Sequence, residues 1–179
     1  AENQHNDGIL RYSTAPAPKL DKDTAAQASL YMKELLEALK HVGVLTLELF
    51  ETDRGLIANE MAPRVHNSGH WSMLGAMSSQ FENHIRAIAD LPLGDTEAQQ
   101  PTCMINLISH KGDIEKVLGL PYAQVHLYGK EERSGRKLGH INVTANSYDE
   151  LRWRVENIIQ HLDDYPSFEQ LKNKEATTM

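Results

Sequence analysis

The chain has 179 residues, 40% hydrophobic and 24% charged, which supplies a core for one ordinary domain or two small ones and argues against disorder. A formal net charge of -7 argues against a nucleic-acid partner or an acidic membrane surface, both of which usually meet a basic excess. A phosphorylated small molecule remains open, because it needs only a local cluster of positive charge.

Cys103 is the single cysteine, so an intrachain disulfide and a cysteine-built zinc site are both excluded, and the thiol reads as a small buried hydrophobe. The longest apolar stretch, residues 42–50, is too short and too interrupted by Gly43, Thr46 and Glu48 to span a bilayer. No signal-peptide pattern opens the chain, and a cytoplasmic location is expected. Ala1 stands where a start methionine would, which reads as a piece of a longer polypeptide.

Residues 9–15 are predicted as a strand, ended by Pro16 and Pro18. A helix follows: Thr24 and Gln27 have capping-box spacing, Met32, Leu35, Leu36 and Leu39 form one apolar face, and Gly43 is the expected stop. Residues 44–50 and 56–62 are two extended runs joined by a polar, glycine-containing turn at 51–55, a predicted hairpin. Leu74, Met77, Phe81, Ile85 and Ile88 recur at helical intervals and predict one amphipathic helix over 71–90, with Ser68 a candidate cap. Residues 92–101 are loop-like and mark a candidate boundary between two substructures. Beyond it come a strand at 103–108, a short helix near 113–118, and strands at 123–128 and 137–144 linked through a Ser134-Gly135 turn. Ser147 and Glu150 form another capping box, and Leu151, Val155, Ile158 and Leu162 supply the inner face of a last helix. After Pro166 the chain is polar and is predicted to fray.

The hairpin carries the first candidate chemistry. Alternation puts Glu48 on one face with Val44, Thr46 and Phe50, and Leu45, Leu47 and Leu49 on the other. Antiparallel folding brings Glu60 back to within a position or so of Glu48. Two adjacent carboxylates repel, and a divalent cation between them would reverse that sign. Oxygen-only ligation favours magnesium, whose usual co-ligands are water and phosphate oxygens, so a nucleotide would follow. Taken alone, the pair is a weak signal, because two glutamates on a solvent-exposed hairpin face are commoner.

The loop after the second strand, residues 59–70, packs polar groups into a Pro- and Gly-containing segment at a strand end, a favoured place for binding residues. Arg64 can hold a planar anion through two parallel hydrogen bonds, and His66 and Asn67 can add donors. His66 and His70 have zinc-like spacing on a helix, but Gly69 and the missing third ligand argue against zinc. Lys130, Arg133, Arg136 and Lys137 form the one basic cluster of an acidic chain, diluted by Glu131 and Glu132.

The run Asn59-Glu60-Met61-Ala62-Pro63-Arg64-Val65-His66-Asn67-Ser68-Gly69-His70, with the glutamate pair, is similar to the carboxyaminoimidazole ribonucleotide synthetase family, the ATPase subunits of phosphoribosylaminoimidazole carboxylase, within the ATP-grasp superfamily. The likeness extends to residues 2–10, to Ser79-Gln80-Phe81-Glu82 with Ile85-Arg86-Ala87, to residues 104–107, to His126-Leu127-Tyr128-Gly129-Lys130 and to residues 135–140, covering the chain to about residue 160.

What the resemblance implies is a ligase that uses ATP to phosphorylate bicarbonate and transfers the carboxyl group to the amine of aminoimidazole ribonucleotide in purine biosynthesis. By the family's pattern Glu48 and Glu60 would bind magnesium, with Asn59 beside them. Phe50 would line the adenine pocket, and His5 would contribute to the nucleotide site. Arg64, His66 and Asn67 would face bicarbonate and carboxyphosphate. Lys130 and Arg136, with Lys137, would hold the ribonucleotide's phosphate.

The implied fold is α+β and mostly antiparallel: an incomplete ATP-grasp C-terminal subdomain over 1–98, a small sheet-and-helix terminal domain over 99–162 and a polar tail over 163–179. The family's amino-terminal half, with its lid and glycine-rich phosphate loop, has no counterpart in these residues, so the chain alone is predicted to be inactive. The full-length enzyme is expected to be a homodimer. The competing readings are a related ATP-grasp purine enzyme, such as the formate-using transformylase, and a non-catalytic nucleotide-binding or assembly module.

Overall fold

The computed structural model describes residues 1–163 and 165–168. Its organising element is strand β5 (Thr102–Ile108), all seven residues of which are buried and whose two edges are both paired. β2 (Ile9–Ala15) lies on one side and β7 (Lys137–Thr144) on the other. β1 (Glu2–Asn6) and β6 (Ala123–Leu127) complete an antiparallel sheet of order β1-β2-β5-β7-β6. The sheet therefore crosses the expected boundary near residue 98. β1 and β2 precede it, yet β2, itself paired with β1, covers one edge of β5, whose backbone polar groups would otherwise be buried without partners.

The two faces of this sheet differ. Tyr12, Cys103, Ile105, Leu107, Ile141 and Val143 form the apolar face, closed by Val117 of α4 (Ile114–Leu118) and by Leu151, Val155 and Ile158 of α5 (Tyr148–Ile159). Ser13, Asn106, His140 and Asn142 are also buried, but by the period of two they point to the opposite face. The polar tail expected from residue 163 instead returns to the core. Phe168 is buried edge-on to Tyr12, and the Tyr165 hydroxyl donates to the carbonyl of Asn106 at 2.7 Å. The remainder of the expected tail, residues 169–179, lies outside the described residues.

A second sheet consists of β3 (Thr46–Thr52) and β4 (Gly55–Ala62), with α1 (Lys22–Leu39) beside it. This helix starts earlier than the Thr24 box predicted. The Asp21 side chain accepts from the backbone N–H groups of Asp23 and Thr24, and the Thr24 hydroxyl donates back to it at 2.6 Å. Lys40, in the left-handed region at φ 48°, ends the helix before Gly43 is reached.

The single helix expected over 71–90 is broken in the structure. A 3₁₀ turn at Asn67–Gly69 leads into the short α2 (Ser72–Gly75), Ala76 is extended, and α3 (Gln80–Ile88) restarts with the Ser79 hydroxyl accepting from the Glu82 N–H. Ser68 lies inside the 3₁₀ turn and caps nothing at Trp71. The break follows from close packing: a Cβ on Gly75 would lie 2.3 Å from Thr102 Oγ1, and the Gly75 carbonyl accepts from the Gln99 N–H instead of continuing a helix. Met77, assigned to the helix face by periodicity, lies in the break and is 69% exposed. Among the described residues no helix is long and apolar enough to cross a membrane.

Candidate functional site

Glu48 and Glu60 are direct cross-strand partners of the β3–β4 hairpin, and so share a face. Leu47 and Leu49 line the other face, opposite Met32 and Leu36 of α1. One register shift falls between Glu48 and Leu49: Glu48 pairs Glu60 whereas Leu49 pairs Ala58, so Asn59 is the extra residue of a β-bulge. A bulge sets two residues against one, which brings Asn59 as well as Glu60 opposite Glu48. The Asn59 amide donates to Glu48 Oε2 at 3.4 Å, and Asn3 of β1 donates to Glu48 Oε1 at 2.9 Å. Asn3 is itself fixed by the Ser13 hydroxyl, which donates to its Oδ1 at 2.8 Å. Among the described residues no lysine or arginine pairs with either glutamate.

The loop at 63–70 is held by Gln80 at the head of α3. Its Oε1 accepts from the His66 N–H at 2.9 Å, and its Nε2 donates to the His66 carbonyl and to His70 Nδ1, both at 2.8 Å. Every hydrogen-bonding atom of that amide is used, and Gly69 leaves room for it, since a Cβ there would meet Gln80 Oε1 at 2.5 Å. The loop then rests on the polar face of the large sheet, where the Ser13 hydroxyl, its single proton shared with Asn3 Oδ1, reaches the Ser68 carbonyl and Asn142 donates to the His70 carbonyl, each at 2.9 Å.

These contacts set the chemistry of His66. Its Nδ1 lies 2.9 Å from the Ser68 hydroxyl and 3.4 Å from the Ser68 N–H, and its Nε2 lies 4.0 Å from Glu60 Oε1. Burial lowers the His66 pKa, against the pull of Glu48 and Glu60 that would raise it. Arg64 is exposed, its guanidinium touching only the Val65 carbonyl at 3.0 Å, and it has no ion pair among the described residues. The Asn67 amide nitrogen is buried without a hydrogen-bond partner.

Lys137, at the start of β7, ties the basic segment to this cluster. Burial lowers its pKa first; Glu60 and Glu48 act to raise it, while Arg64 and Lys130 push it further down. Carboxylates of the hairpin and cations of the loop and of β7 thus lie close enough to act on one group. Lys130 sits with its ammonium 5.7 Å from the centre of the Tyr128 ring.

The structure therefore brings together Glu48, Asn59, Glu60, Arg64, His66, Lys130 and Lys137. Asn67 belongs to the same loop. No hydrogen bond or ion pair among the described residues draws His5, Phe50 or Arg136 into the group: His5 of β1 pairs with Leu10 of β2, Phe50 lies beyond the bulge opposite Ile57, and Arg136 Nη1 approaches the Glu131 carbonyl at 3.5 Å. Asn3, Gln80 and Tyr128 are participants that spacing did not reveal. Each lies in a segment carrying the family resemblance, but an uncharged side chain outside a periodic pattern announces no role.

The carboxylate pair of the two-stranded hairpin and the cationic loop anchored to the second sheet both fall within residues 1–81, which match the family model for the ATP-grasp domain. Residues 102–154 match the model for the phosphoribosylaminoimidazole carboxylase C-terminal domain. Together the two matches place the chain in the N5-carboxyaminoimidazole ribonucleotide synthase family of ATP-grasp proteins. It is 48% identical over 165 residues to N5-carboxyaminoimidazole ribonucleotide synthase of Vibrio cholerae, an alignment covering 92% of this chain and 43% of that protein. The crystal structure of the Thermus thermophilus synthetase superposes with a TM-score of 0.88 at 44% identity, covering 92% of this chain and 46% of that one. An Aspergillus clavatus synthase in complex with ADP and 5-aminoimidazole ribonucleotide superposes with a TM-score of 0.82 at 33% identity, covering 88% and 45%. The chain thus spans less than half the length of the relatives it matches.

Proposed function

We propose that this chain supplies the metal and substrate side of a site in which ATP drives carboxylation of aminoimidazole ribonucleotide by bicarbonate, as one part of a longer enzyme. The observation that carries this reading is the register of Glu48 against Glu60 with Asn59 bulged beside them. Two facing carboxylates without a cationic side chain between them form an all-oxygen donor set, which suits magnesium. Magnesium there would neutralise phosphate charge. The relatives solved with ADP and with the ribonucleotide support both ligands for the family site.

In the reaction a bicarbonate oxygen takes the γ-phosphoryl group of ATP, giving carboxyphosphate and ADP. The exocyclic amine of the ribonucleotide then bonds to the carboxyl carbon, phosphate departs and the amine nitrogen loses a proton. Carboxyphosphate is short-lived in water and multiply charged, so the protein's task is to neutralise it and keep water away. Arg64, exposed and without an ion pair, offers a planar bidentate clamp for a carboxylate or phosphate. His66 presents Nε2 toward Glu60 of the carboxylate pair, and the Asn67 amide nitrogen is a donor in need of an acceptor. Lys130 and Lys137, with Arg136 adjoining, would take the ribonucleotide's phosphate. His5 and Phe50 are assigned to the nucleotide side on the family's pattern. A cytoplasmic, homodimeric full-length enzyme belongs to the same reading.

The test is ribonucleotide-dependent ATP hydrolysis by the full-length protein. Glu60→Gln keeps the shape and removes the charge, and it is expected to lower turnover at least a hundredfold with a raised requirement for magnesium. Unchanged turnover and magnesium dependence would remove Glu60 from the metal role.

A further inference from the structure

Four rings from four separate segments form a continuous column between the anion loop and the basic segment. Phe81 of α3 stacks on His70 at 5.4 Å between centroids, His70 lies 4.8 Å from His140 of β7, and His140 lies 4.5 Å from His126 of β6 at an interplanar angle of 16°. The last contact follows from register, because His126 and His140 are direct cross-strand partners. His140 is 2% exposed, and its Nδ1 is 2.7 Å from the Tyr128 hydroxyl, whose ring in turn lies beneath the Lys130 ammonium. The column thus runs from His70, at the end of the loop that carries Arg64, His66 and Asn67, to Tyr128 and Lys130.

Stacked faces do not converge nitrogen lone pairs on one point, so the column is not a metal site, and no metal-holding cluster of three occurs among the described residues. One nitrogen of each histidine ring has a partner, and the Nε2 of His140 is buried without one. His70 Nδ1 accepts from Gln80, and His126 Nε2 is 3.0 Å from Gln124 Oε1.

We propose that His140 is a positioning residue: by stacking on His70 and bonding Tyr128, it fixes the distance between the anion loop and the lysine that takes the ribonucleotide's phosphate.

The electrostatics are consistent with a column that stays neutral while the site around it is charged. Burial drives the His140 pKa down to about 3 and that of His70 to about 4, and it lowers His126 as well. The other groups that act on these rings are His66 and Lys137, and both push further down. Gln80, Gln124, Phe81 and Tyr128 complete the surroundings without a carboxylate. A neutral column exerts no repulsion on Lys130 or Lys137, so both cations remain available to a phosphate.

This inference rests on the ligase reading, and two variants separate the failure of each. His140→Phe keeps the stack and loses the hydrogen bond, and Tyr128→Phe removes the same bond from the other side. In the full-length protein both are expected to raise the KM for the ribonucleotide about tenfold, with the KM for ATP changed less than twofold and the thermal midpoint little altered. The double variant should be no worse than the single ones, since one bond is lost in all three. Unaltered KM for the ribonucleotide in both single variants, or strictly multiplicative effects in the double variant, would overturn the positioning role. Wild-type protein without ribonucleotide-dependent ATP hydrolysis would instead sink the ligase reading. In that event the proton spectrum still decides: His70 and His140 ring resonances should not titrate between pH 5 and 8 in the wild type, and the His70 resonance should shift in Tyr128→Phe if the column is mechanically continuous. An unmoved resonance overturns the proposal.

Discussion

β5 and α1 are the two extremes of this molecule. The strand has seven residues, all buried, and the helix has eighteen, none buried. The catalytic carboxylates proposed here stand on the hairpin beside α1, whereas the surface that orders the loop belongs to the sheet built around β5. One half of the site is therefore anchored by packing. The other is anchored by a few side-chain hydrogen bonds, with Leu30, Leu39, Ile57 and Met61 left exposed around it. Burial stabilises at about 25 cal/mol per Å² of apolar surface, so the two regions should answer very differently to truncation.

The sharpest way to test that contrast is a pair of aliphatic truncations followed by urea denaturation. Ile105→Ala empties a site with 0% exposure at the middle of the core and is expected to cost about 2–5 kcal/mol. Leu39→Ala, at a side chain 52% exposed near the end of α1, is expected to change stability by less than about 0.5 kcal/mol. Equal costs would mean that α1 is as firmly packed as the sheet.

Acid should distinguish the regions next, because the neutral imidazoles belong to the sheet and not to the hairpin. His70 and His140 have folded-state pKa values of about 4 and about 3, below the 6.5 of a free ring. As the pH falls below 6.5 the unfolded chain binds those protons first, so stability is complete above that pH and declines as it falls toward the folded values. Each such histidine contributes a slope approaching about 1.4 kcal/mol per pH unit. In stability measured from pH 7 to pH 4.5, His140→Phe should show a shallower decline than the wild type. A parallel decline would show that His140 is not the ring responsible.

Much of this site was legible in advance, and the parts that were not share a cause. The hairpin register follows from a short polar turn between two apolar runs, and it delivered Glu48 to Glu60. The helix predicted over 71–90 failed because Leu74, Met77 and Phe81 keep helical spacing across a break imposed by Gly75 against Thr102, a contact with a strand far along the chain. β1 escaped notice because Glu2, Asn3, Gln4, His5 and Asn6 are all polar, and a strand at the edge of a sheet does not need an apolar alternation. The tail misled for the opposite reason. Its polar composition outvoted Tyr165 and Phe168, whose burial depends on a pocket formed by Tyr12 and the rest of the sheet.

The smallest effect is the most specific to the hairpin. Asn3 is the described hydrogen-bond link from the large sheet to the carboxylate pair, donating to Glu48 while accepting from Ser13. Asn3→Ala removes the partly buried hydrogen bond to the charged Glu48 and the acceptor for Ser13, whose proton can turn to the Ser68 carbonyl, and should cost about 1.5 kcal/mol. Asn3→Asp is the discriminating companion: it can still accept from Ser13, but it replaces the donor facing Glu48 with an oxygen of a third carboxylate. Without divalent cations it should be less stable than Asn3→Ala, because like charges are then crowded at one point. Millimolar magnesium should narrow or reverse that order if Glu48 and Glu60 bind the ion. If magnesium leaves the order unchanged, Asn3 serves the fold of the hairpin alone, and the carboxylate pair is not the place where the cation enters.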